Sequence, residues 1–523
     1  MSEQSDALNR AVRERGIPIG DARPLGALSE AMGDRDTLPL VPLPRTGEQM
    51  ISFASNVGGI VGANGLYRRD SAPVTIDPET GRVEEMDAAR FRSYVESHLV
   101  PFAWKGNVRQ PETMTEQEAR GCLRSDFLIK PLRKLRRVNQ VRLPVMRRDG
   151  RIELLPKGYD PETGIYTMRN CIDYDPGWSL ERAQLFMDDL LGEFPFADDR
   201  SRAAHILAMT AVFGAELLPA GVKPLNFVYR ANVPRAGKGL LVTTAIAGPH
   251  GAVKIHAIPD DTEFRKLLDT EALNGSPYIV LDEVRGHLVN RTLNAFLTAN
   301  VWSGRLFNSQ KNFAVTQTAI VFLIGNNIDI SGDLAGRCVL VDLYVTEADP
   351  QERKIRRVID EAYLTRVDVR ADISAALYAM VRQWDARLRP SSSASFCGFE
   401  TFSRLFGGII EAAGYACPLR SVAAEIDPDM ADMTALVQKL CEGVKSRAEY
   451  DFGEVITACR ELNAFEWHVA VEELSAKSRS YLGKVFAQQY GGCTFRLGDG
   501  RLAKWGHRGR NRERRYSVGI IGE

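Results

Sequence analysis

The sequence predicts an α/β fold: a core with a parallel sheet and helices on both faces, flanked by small winged-helix-like α+β domains. Short apolar runs at 225–231, 277–283, 319–327 and 338–345 alternate with helical stretches, which is typical of parallel strands buried on both faces. One region before these runs and one after them combine a helical pattern with a basic hairpin whose turn contains Asp and Gly. These two regions predict the flanking domains.

Length and composition are those of an ordinary globular protein. The chain has 523 residues, more than one hydrophobic core usually holds, so about two to four domains are expected. Its 67 basic and 67 acidic residues balance. No apolar run is long enough to span a bilayer and the first residues lack the apolar core of a signal peptide, so we expect a cytoplasmic protein without membrane contact. The eight cysteines are scattered, which argues against a zinc site or a disulfide framework.

A candidate phosphate-binding loop follows the first apolar run. The chain leaves a predicted strand, crosses a loop with Pro and Gly, and enters a predicted helix, whose N-terminal N–H groups suit an anion. Against the pattern G-x-x-x-x-G-K-[ST], Asn232 stands at the first Gly and Gly239 replaces the hydroxyl residue that ligates Mg²⁺. Taken alone, the loop is equally well explained as a surface turn. The predicted nucleotide contacts are Asn232, Pro234, Arg235, Ala236, Gly237, Lys238, Gly239 and Leu240.

Two adjacent carboxylates end the second apolar run and favour the phosphate-loop interpretation. Asp282 and Glu283 close the run at 277–283, where paired buried charges are costly without a cation. We expect Asp282 to hold Mg²⁺ through water and Glu283 to polarise the attacking water, with Lys238 contacting the phosphates of ATP.

Two further elements complete the predicted catalytic set. The run at 319–327 ends in Asn326 and Asn327, and either amide suits a place between the γ-phosphate and the water. Arg337 lies just before the last run, where an arginine can project toward the ATP of a neighbouring subunit. Four elements in this order predict a P-loop ATPase.

Local basic segments predict contacts with DNA. From Lys130 to Arg151 there are nine bases and one acid, and from Lys477 to Arg515 eleven bases and two acids. Solvated surface charge explains either segment equally well. The predicted DNA contacts in these segments are Arg136, Arg137, Arg147, Arg148, Lys504, Trp505, Arg508 and Arg510.

Five segments together resemble the helicase core of superfamily III and poxvirus-type AAA+ primase-helicases of phages, plasmids and mobile elements, to which the staphylococcal cassette helicases are related. The resemblance covers about residues 100 to 420. It implies an AAA+ core that uses ATP and Mg²⁺ and a ring, expected to be a hexamer, that translocates DNA. The segments are RAGKGLL (235–241), IVLDEVRG (279–286), VWSGRLFNSQKNFAV (301–315), FLIGNNIDISGDLAGR (322–337) and FETFSRLFGGIIEAAGY (399–415).

The same resemblance implies that a hairpin within 304–315 projects into the ring channel. Lys311 then lies at its tip and is a candidate contact for a DNA strand, whereas Phe307 and Phe313 are expected to pack in the core. Arg305 belongs either to the pore loop or to the subunit interface. Trp302 is expected to be packed.

The expected organisation has five regions. Residues 1–85 are loop-rich and of unknown role, 86–175 form an N-terminal winged-helix-like DNA-binding domain, 176–350 the AAA+ core with preceding helices, 351–425 a helical segment with a linker at 389–396, and 426–523 a basic C-terminal winged-helix-like domain. The expected function is that of an ATP-dependent DNA helicase or replication initiator. A non-catalytic ATP-binding scaffold at an origin and an AAA+ regulatory or defence switch remain alternatives.

Overall fold

Three units follow one another along the chain: an N-terminal unit, a central unit with a parallel sheet, and a C-terminal unit. Within the part of the chain that the structure describes, no helix is both long and apolar enough to cross a membrane. The computed structural model describes residues 38–45, 49–257, 261–288, 290–305, 312–330, 332–346, 355–420, 428–444, 446–465, 469, 474–509 and 515–521.

The N-terminal unit surrounds a hydrophobic core that runs from Val41 to Leu132. Strands β1, β5 and β6 form one small sheet, and the order β4-β3-β2-β7 forms another. Its elements are β1 (Leu40–Pro42), α1 (Met50–Ala63), β2 (Tyr67–Arg69), β3 (Ala72–Ile76), β4 (Val83–Glu85), α2 (Ala88–His98), β5 (Val100–Lys105), β6 (Val108–Pro111), α3 (Glu116–Leu123), α4 (Asp126–Ile129) and β7 (Arg133–Lys134).

Helix α1 corrects the expectation that residues 1–85 are loop-rich. Two of its glycines, Gly58 and Gly62, are positions of close packing. A Cβ on Gly58 would lie 3.2 Å from the Leu128 backbone of α4, and one on Gly62 would lie 3.1 Å from the Leu132 side chain. The helix is therefore part of the same core as α2 and α3.

Residues 86–175 do not fold as one winged-helix-like domain, which corrects the second expectation. The helices of this segment belong to the N-terminal core, whereas Val145 and Leu155 at its hairpin pack in the core of the central unit. The boundary between the N-terminal and central units falls between these helices and the hairpin, because their apolar residues face different cores. The strands of this part are β8 (Arg137–Val141), β9 (Pro144–Met146), β10 (Ile152–Leu154), β11 (Gly158–Asp160) and β12 (Ile165–Ile172).

The central unit contains a five-stranded parallel sheet of order β14-β15-β18-β13-β19. Its elements are α5 (Leu180–Leu191), α6 (Asp199–Phe213), β13 (Asn226–Ala231), α7 (Lys238–His250), β14 (Ile255–Ala257), α8 (Asp261–Leu273), β15 (Tyr278–Leu288), α9 (Arg291–Thr298), β16 (Val301–Arg305), β17 (Asn312–Thr316), β18 (Ile320–Ile330), α10 (Gly332–Ala335), β19 (Cys338–Leu343), α11 (Glu361–Thr365) and α12 (Val367–Ala386).

Both faces of this sheet are buried, as the continuous apolar runs predicted. Along β13, Phe227 and Tyr229 face one core while Val228 faces the other. Phe322 and Leu323 of β18 alternate in the same way. The α/β prediction with a parallel sheet is confirmed.

The segment 389–396, predicted as a linker, packs against the central unit. Trp384 donates its indole N–H to the carbonyl of Pro390 at 2.9 Å, and Ser392 donates its hydroxyl to Glu411 at 2.6 Å. The following helical segment is buried in the same core through Phe402 and Phe406. It consists of α13 (Glu400–Phe402), a π-helical turn (Ser403–Gly407) and α14 (Gly408–Ala412).

The C-terminal unit has its own core and an antiparallel sheet of order β20-β23-β22-β21. Along the chain the order is helix, strand, helix, helix and then a ribbon. Its elements are α15 (Pro428–Leu440), β20 (Arg447–Tyr450), α16 (Phe452–Leu462), α17 (Ala476–Lys484) with a π-helical turn (Val485–Gln489), β21 (Thr494–Arg496), β22 (Leu502–Arg508) and β23 (Arg515–Ile521).

Trp505 lies in this core, which corrects its interpretation as a DNA contact. Its side chain is 0% exposed, stacks on Tyr516 with ring centroids 5.4 Å apart, and donates its indole N–H to the Phe486 carbonyl at 2.7 Å. Strand β22 alternates, so Ala503 and Trp505 point inward and Lys504 outward. The basic neighbours of Trp505 are therefore on the other face of the strand.

Replacing Trp505 with Ala is expected to destabilise the C-terminal unit by about 3–5 kcal/mol, because it empties a buried site and leaves a carbonyl without its donor. Lys504→Ala on the exposed face is the matched control and should change stability by less than about 0.5 kcal/mol. Urea unfolding of the full chain, followed by far-ultraviolet circular dichroism, measures both. Equal unfolding midpoints for the two variants would contradict the buried position.

Candidate nucleotide site

The predicted phosphate loop joins the carboxyl end of β13 to the N-terminus of α7. Gly237 precedes the helix with φ 91°, a left-handed conformation that glycine adopts without strain. The side chain of Asn232 accepts from the Val345 N–H at 3.0 Å and donates to the Val345 carbonyl at 2.9 Å. Asn232, at the position of the first Gly, thus ties the loop to the residue beyond β19. The first N–H groups of α7 have no helical acceptor and point toward the loop.

The loop residues predicted to contact the nucleotide differ in exposure. Pro234 and Arg235 are exposed, Gly239 and Leu240 are half-buried, and the Ala236 side chain is buried, so that only its backbone remains for a ligand.

Helix α7, which follows the phosphate loop, is held at its middle and at its C-terminal end. At the middle, buried His205 of α6 bridges the Tyr229 hydroxyl at 2.9 Å and the Thr244 hydroxyl at 2.8 Å, and burial lowers the pKa of His205 to about 3. The imidazole is therefore neutral. At the C-terminal end Arg370 donates to the carbonyls of Ala247 at 3.0 Å and Gly248 at 3.2 Å, where a cation offsets the helix dipole.

Lys238, Asn326 and Asp282 meet at the carboxyl edge of neighbouring strands. Asn326 pairs in register with Ala231, the last residue of β13, and the Lys238 ammonium donates to its side-chain oxygen. Lys238 is only 7% exposed. Burial lowers the pKa of Lys238, and the charge of Asp282 partly opposes this shift. Of the two asparagines left open by the sequence, Asn326 contacts the lysine, and the Asn327 side chain lies outside the described part of the structure.

A bulge in β15 projects Glu283 out of the sheet. The pairing of β15 with β18 shifts between Leu281 and Val284, and Glu283 has φ 59°, a conformation that a non-glycine residue adopts at a cost of about 1–3 kcal/mol. Its N–H donates to Asp282 Oδ1 at 2.6 Å. The bulge leaves the Glu283 carboxylate exposed at the edge that carries Lys238.

Gly325 makes the bulge possible, and sequence reasoning missed it. A Cβ on this residue would lie 2.2 Å from the Val284 carbonyl oxygen. Only glycine fits there. Its position one residue before Asn326 and Asn327 was the sequence signal that could have identified it.

The oxygen donors at this edge fit Mg²⁺, which needs only one or two protein carboxylates when water and phosphates supply its other ligands. Asp282 would be such a carboxylate, and the exposed Glu283 beside it remains available for a water molecule. Gly239 supplies no hydroxyl, but a Cβ there would meet no atom within 4 Å. Packing therefore does not exclude a serine at this position.

A second feature missed from the sequence is an ion-pair network beside the loop. Arg230 of β13 donates to both oxygens of Asp342 on β19, at 2.7 and 3.1 Å, and Arg200 of α6 donates to the same carboxylate at 3.2 Å. A single charged residue in each of two apolar strands was the signal.

Arg337 lies at the opposite edge of the sheet. Its carbonyl accepts from the backbone N–H of Asn226 at 3.1 Å, and Asn226 pairs in register with Cys338 at the start of both parallel strands. The six residues of β13 separate this edge from the phosphate loop by roughly 17 Å. Arg337 is therefore remote from the Lys238 of its own subunit.

The predicted hairpin is present in β16 and β17, which pair from Val301–Thr316 to Arg305–Asn312. Lys311 at its tip lies outside the described residues. The exposed Arg305 ends β16.

The hairpin is docked on α8. Trp302, buried as expected, donates its indole N–H to Asp269 at 2.6 Å, and Arg265 lies over its ring at 4.7 Å. Arg265 also donates to the Ser303 carbonyl at 3.0 Å. A Cβ on Gly304 would lie 2.7 Å from the Phe313 ring, so glycine permits the close contact.

Two of the arginines predicted to bind DNA are committed to internal ion pairs, which corrects those predictions. The Arg147 side chain is 13% exposed and donates to Asp160 at 3.0 Å and Glu153 at 3.1 Å. The Arg137 side chain is 11% exposed and lies 3.6 Å from Glu216. Burial therefore removes both from the surface that a DNA backbone can reach.

The other predicted DNA contacts are more exposed. Arg136 is partly exposed and pairs with Glu216, whereas Arg148 is 91% exposed. Lys504 and Arg508 lie on the outer face of β22, and Arg508 pairs with Glu449 at 2.5 Å. Arg510 lies outside the described residues.

Neither a protein-family model nor a curated protein matches the chain. Among solved structures, the apo A form of the NrS-1 C-terminal region is 11% identical over 90% of this chain and 100% of that chain, with a TM-score of 0.39. A JCV helicase bound to a thiazolopyridine acetamide is 11% identical over 49% of this chain and 70% of that chain, with a TM-score of 0.21. At such TM-scores the functional argument depends on the residues of this chain.

Gly325→Ala is expected to abolish tight nucleotide binding, because the added methyl would force the Val284 carbonyl and the Glu283 bulge to move. Gly239→Ala is the matched control: the same methyl meets open space, so nucleotide affinity should stay within about threefold of wild type. Fluorescent-nucleotide titration measures both variants. Unchanged affinity in Gly325→Ala would show that the site does not need the bulge.

Proposed function

We propose that this protein is an ATP-driven DNA translocase of the helicase kind. The observation that carries the proposal is the convergence of Lys238, Asn326 and Asp282 on one sheet edge, with the Glu283 carboxylate exposed beside them. Ligands of parallel α/β sheets bind at such carboxyl edges. The positive end of α7 and the Lys238 ammonium then hold the phosphates.

The residues have separable roles in hydrolysis. On arrival of ATP, Lys238 exchanges its bond to Asn326 for the terminal phosphates, and Asn326 becomes available to orient water. Glu283 polarises that water, and Asp282 would hold a bound Mg²⁺. A bound Mg²⁺ would neutralise charge that develops on the phosphates.

The remote position of Arg337 supports a site shared between subunits. A guanidinium at the opposite edge reaches a phosphate only across an interface, and a head-to-tail interface of this kind forms a ring when its rotation closes. We propose a homo-oligomer, a hexamer in the preferred form.

DNA would be gripped by the β16–β17 hairpins, through Arg305 and Lys311, as a strand passes the channel. Helix α8 carries the hairpin and leads into β15 with Asp282, so changes at the nucleotide reach the hairpin through Asp269 and Trp302. The C-terminal order of helix, strand, helix, helix and ribbon supports a winged-helix role, with Lys504, Arg508 and Arg510 near the DNA.

A non-catalytic ATP-binding scaffold is the second candidate, and Gly239 favours it because the usual Mg²⁺ hydroxyl is missing. In that case Gly239→Ser, which packing permits, would create turnover that the wild-type protein lacks. Turnover already present in the wild type excludes this candidate.

Mixing two inactive variants tests the shared site. Lys238→Ala and Arg337→Ala should each abolish ATP turnover, and Arg337→Ala should still bind nucleotide. In an equal mixture, one interface type combines an intact Lys238 with an intact Arg337, so turnover should recover to about a quarter of wild type if ring sites act independently. The control is a mixture of Lys238→Ala with the double variant Lys238→Ala/Arg337→Ala. It should stay inactive because no subunit keeps Lys238. Failure to recover in demonstrably mixed oligomers would rule out Arg337 acting across the interface.

Trp302→Phe tests the coupling between hairpin and motor. A phenylalanine ring still fills the buried site, but the hydrogen bond to Asp269 is lost, at a cost of about 1 kcal/mol. Basal ATP turnover should persist while its stimulation by single-stranded DNA falls several-fold. Trp104→Phe is the matched control, because the Trp104 side chain is exposed at the end of β5 in the N-terminal unit. Full stimulation in Trp302→Phe would refute this coupling path.

A further inference from the structure

A cavity lies at the amino edge of the sheet, away from the phosphate loop. Its volume is about 520 Å³, which suits a molecule of nucleotide size. Residues of β2, β7 and β8 and of the turn at Ala215–Leu217 line it. The end of α8 and the base of the β16–β17 hairpin form another part of its wall.

The wall of this cavity has an excess of positive charge. Its four cations outnumber its two carboxylates. One of these carboxylates, Glu216, pairs with both Arg136 at 3.2 Å and Arg137 at 3.6 Å. Within the described part of the chain, no carboxylate lies within 4.0 Å of the Lys134 ammonium or the Arg69 guanidinium. The charged lining consists of Arg69, Lys134, Arg136, Arg137, Asp70 and Glu216.

Two of these cations are half-buried, and each has a buried nitrogen that makes no hydrogen bond to a described residue. Burial lowers the pKa of Arg69, against the charge of Asp70, and it lowers the pKa of Arg137, against the charge of Glu216. Arg69 Nε and Arg137 Nη1 are buried and donate no hydrogen bond to a described residue. Buried cationic donors are costly unless an anion accepts from them. The fold therefore keeps four cations at this place against the two carboxylates of Asp70 and Glu216.

We propose that this cavity binds a small phosphate-bearing ligand, an inorganic polyphosphate or a nucleoside phosphate, at a site separate from Lys238. Planar guanidinium groups and an ammonium are the side chains that recognise phosphate oxygens. The half-enclosed shape and the volume favour a small molecule over a threaded strand. Because the hairpin base forms one wall, an occupant would contact the element that we propose to grip DNA.

The test uses full-length Lys238→Ala protein, in which the phosphate loop has lost its lysine, titrated calorimetrically with inorganic tripolyphosphate. Binding is expected, and adding Lys134→Gln or Arg69→Gln should weaken it about tenfold, the effect of one charge-assisted hydrogen bond. Lys105→Gln, an exposed lysine on β5, is the matched control and should change nothing. Tighter binding of ATP than of tripolyphosphate to the same protein assigns a nucleoside phosphate, and equal or weaker binding assigns a polyphosphate.

Two results would overturn the proposal. One is the absence of tripolyphosphate binding to Lys238→Ala, or an affinity that Lys134→Gln leaves unchanged. The other is displacement of bound tripolyphosphate by an oligothymidylate, which would give the cavity to a nucleic-acid strand. A Lys134→Gln variant that keeps Lys238 has an intact phosphate loop, so its ATP turnover tests the proposed function alone. Failure of the cavity proposal can therefore be distinguished from failure of the proposed function.

Discussion

Parallel pairing of β18 between β13 and β15 is the constraint on which the candidate site depends. Because all three strands run in one direction, their carboxyl ends meet at one edge, and the register places Asn326 beside Ala231. The loop that follows β13 then brings Lys238 against Asn326. A shift of one residue would turn these side chains into the apolar layers on either face. The same pairing leaves Arg337 at the far edge of the sheet, away from Lys238.

The site is held in an arrangement that a nucleotide would change. Lys238 is buried against an amide and Glu283 occupies a strained backbone conformation over Gly325. An incoming phosphate offers the lysine a stronger partner than the amide. Release of Asn326 and movement of the bulge would then shift β15. Helix α8 precedes that strand and holds the hairpin through Trp302, so one rigid path joins both proposed activities.

The sequence predicted the parallel sheet, and with it the loop and the carboxylate pair at strand ends, because continuous apolar runs that end in polar residues are typical of buried parallel strands. The hairpin was predicted from the family resemblance. Its errors have a common physical cause. Trp505 was interpreted from its basic neighbours in sequence, but strand alternation places it in the core. Likewise Arg137 and Arg147 belong to a basic run whose acidic partners are distant in sequence or lie beyond the next turn. Long-range partners are not visible in local composition.

ATP turnover by the purified full chain, with and without single-stranded DNA, tests the central claim most directly. Lys238→Ala serves as the control because it removes the cation at the centre of the site. The account predicts turnover that rises with DNA and vanishes in the variant. Tight ATP binding without turnover, in the presence or absence of DNA, would contradict a motor and leave an ATP-binding scaffold.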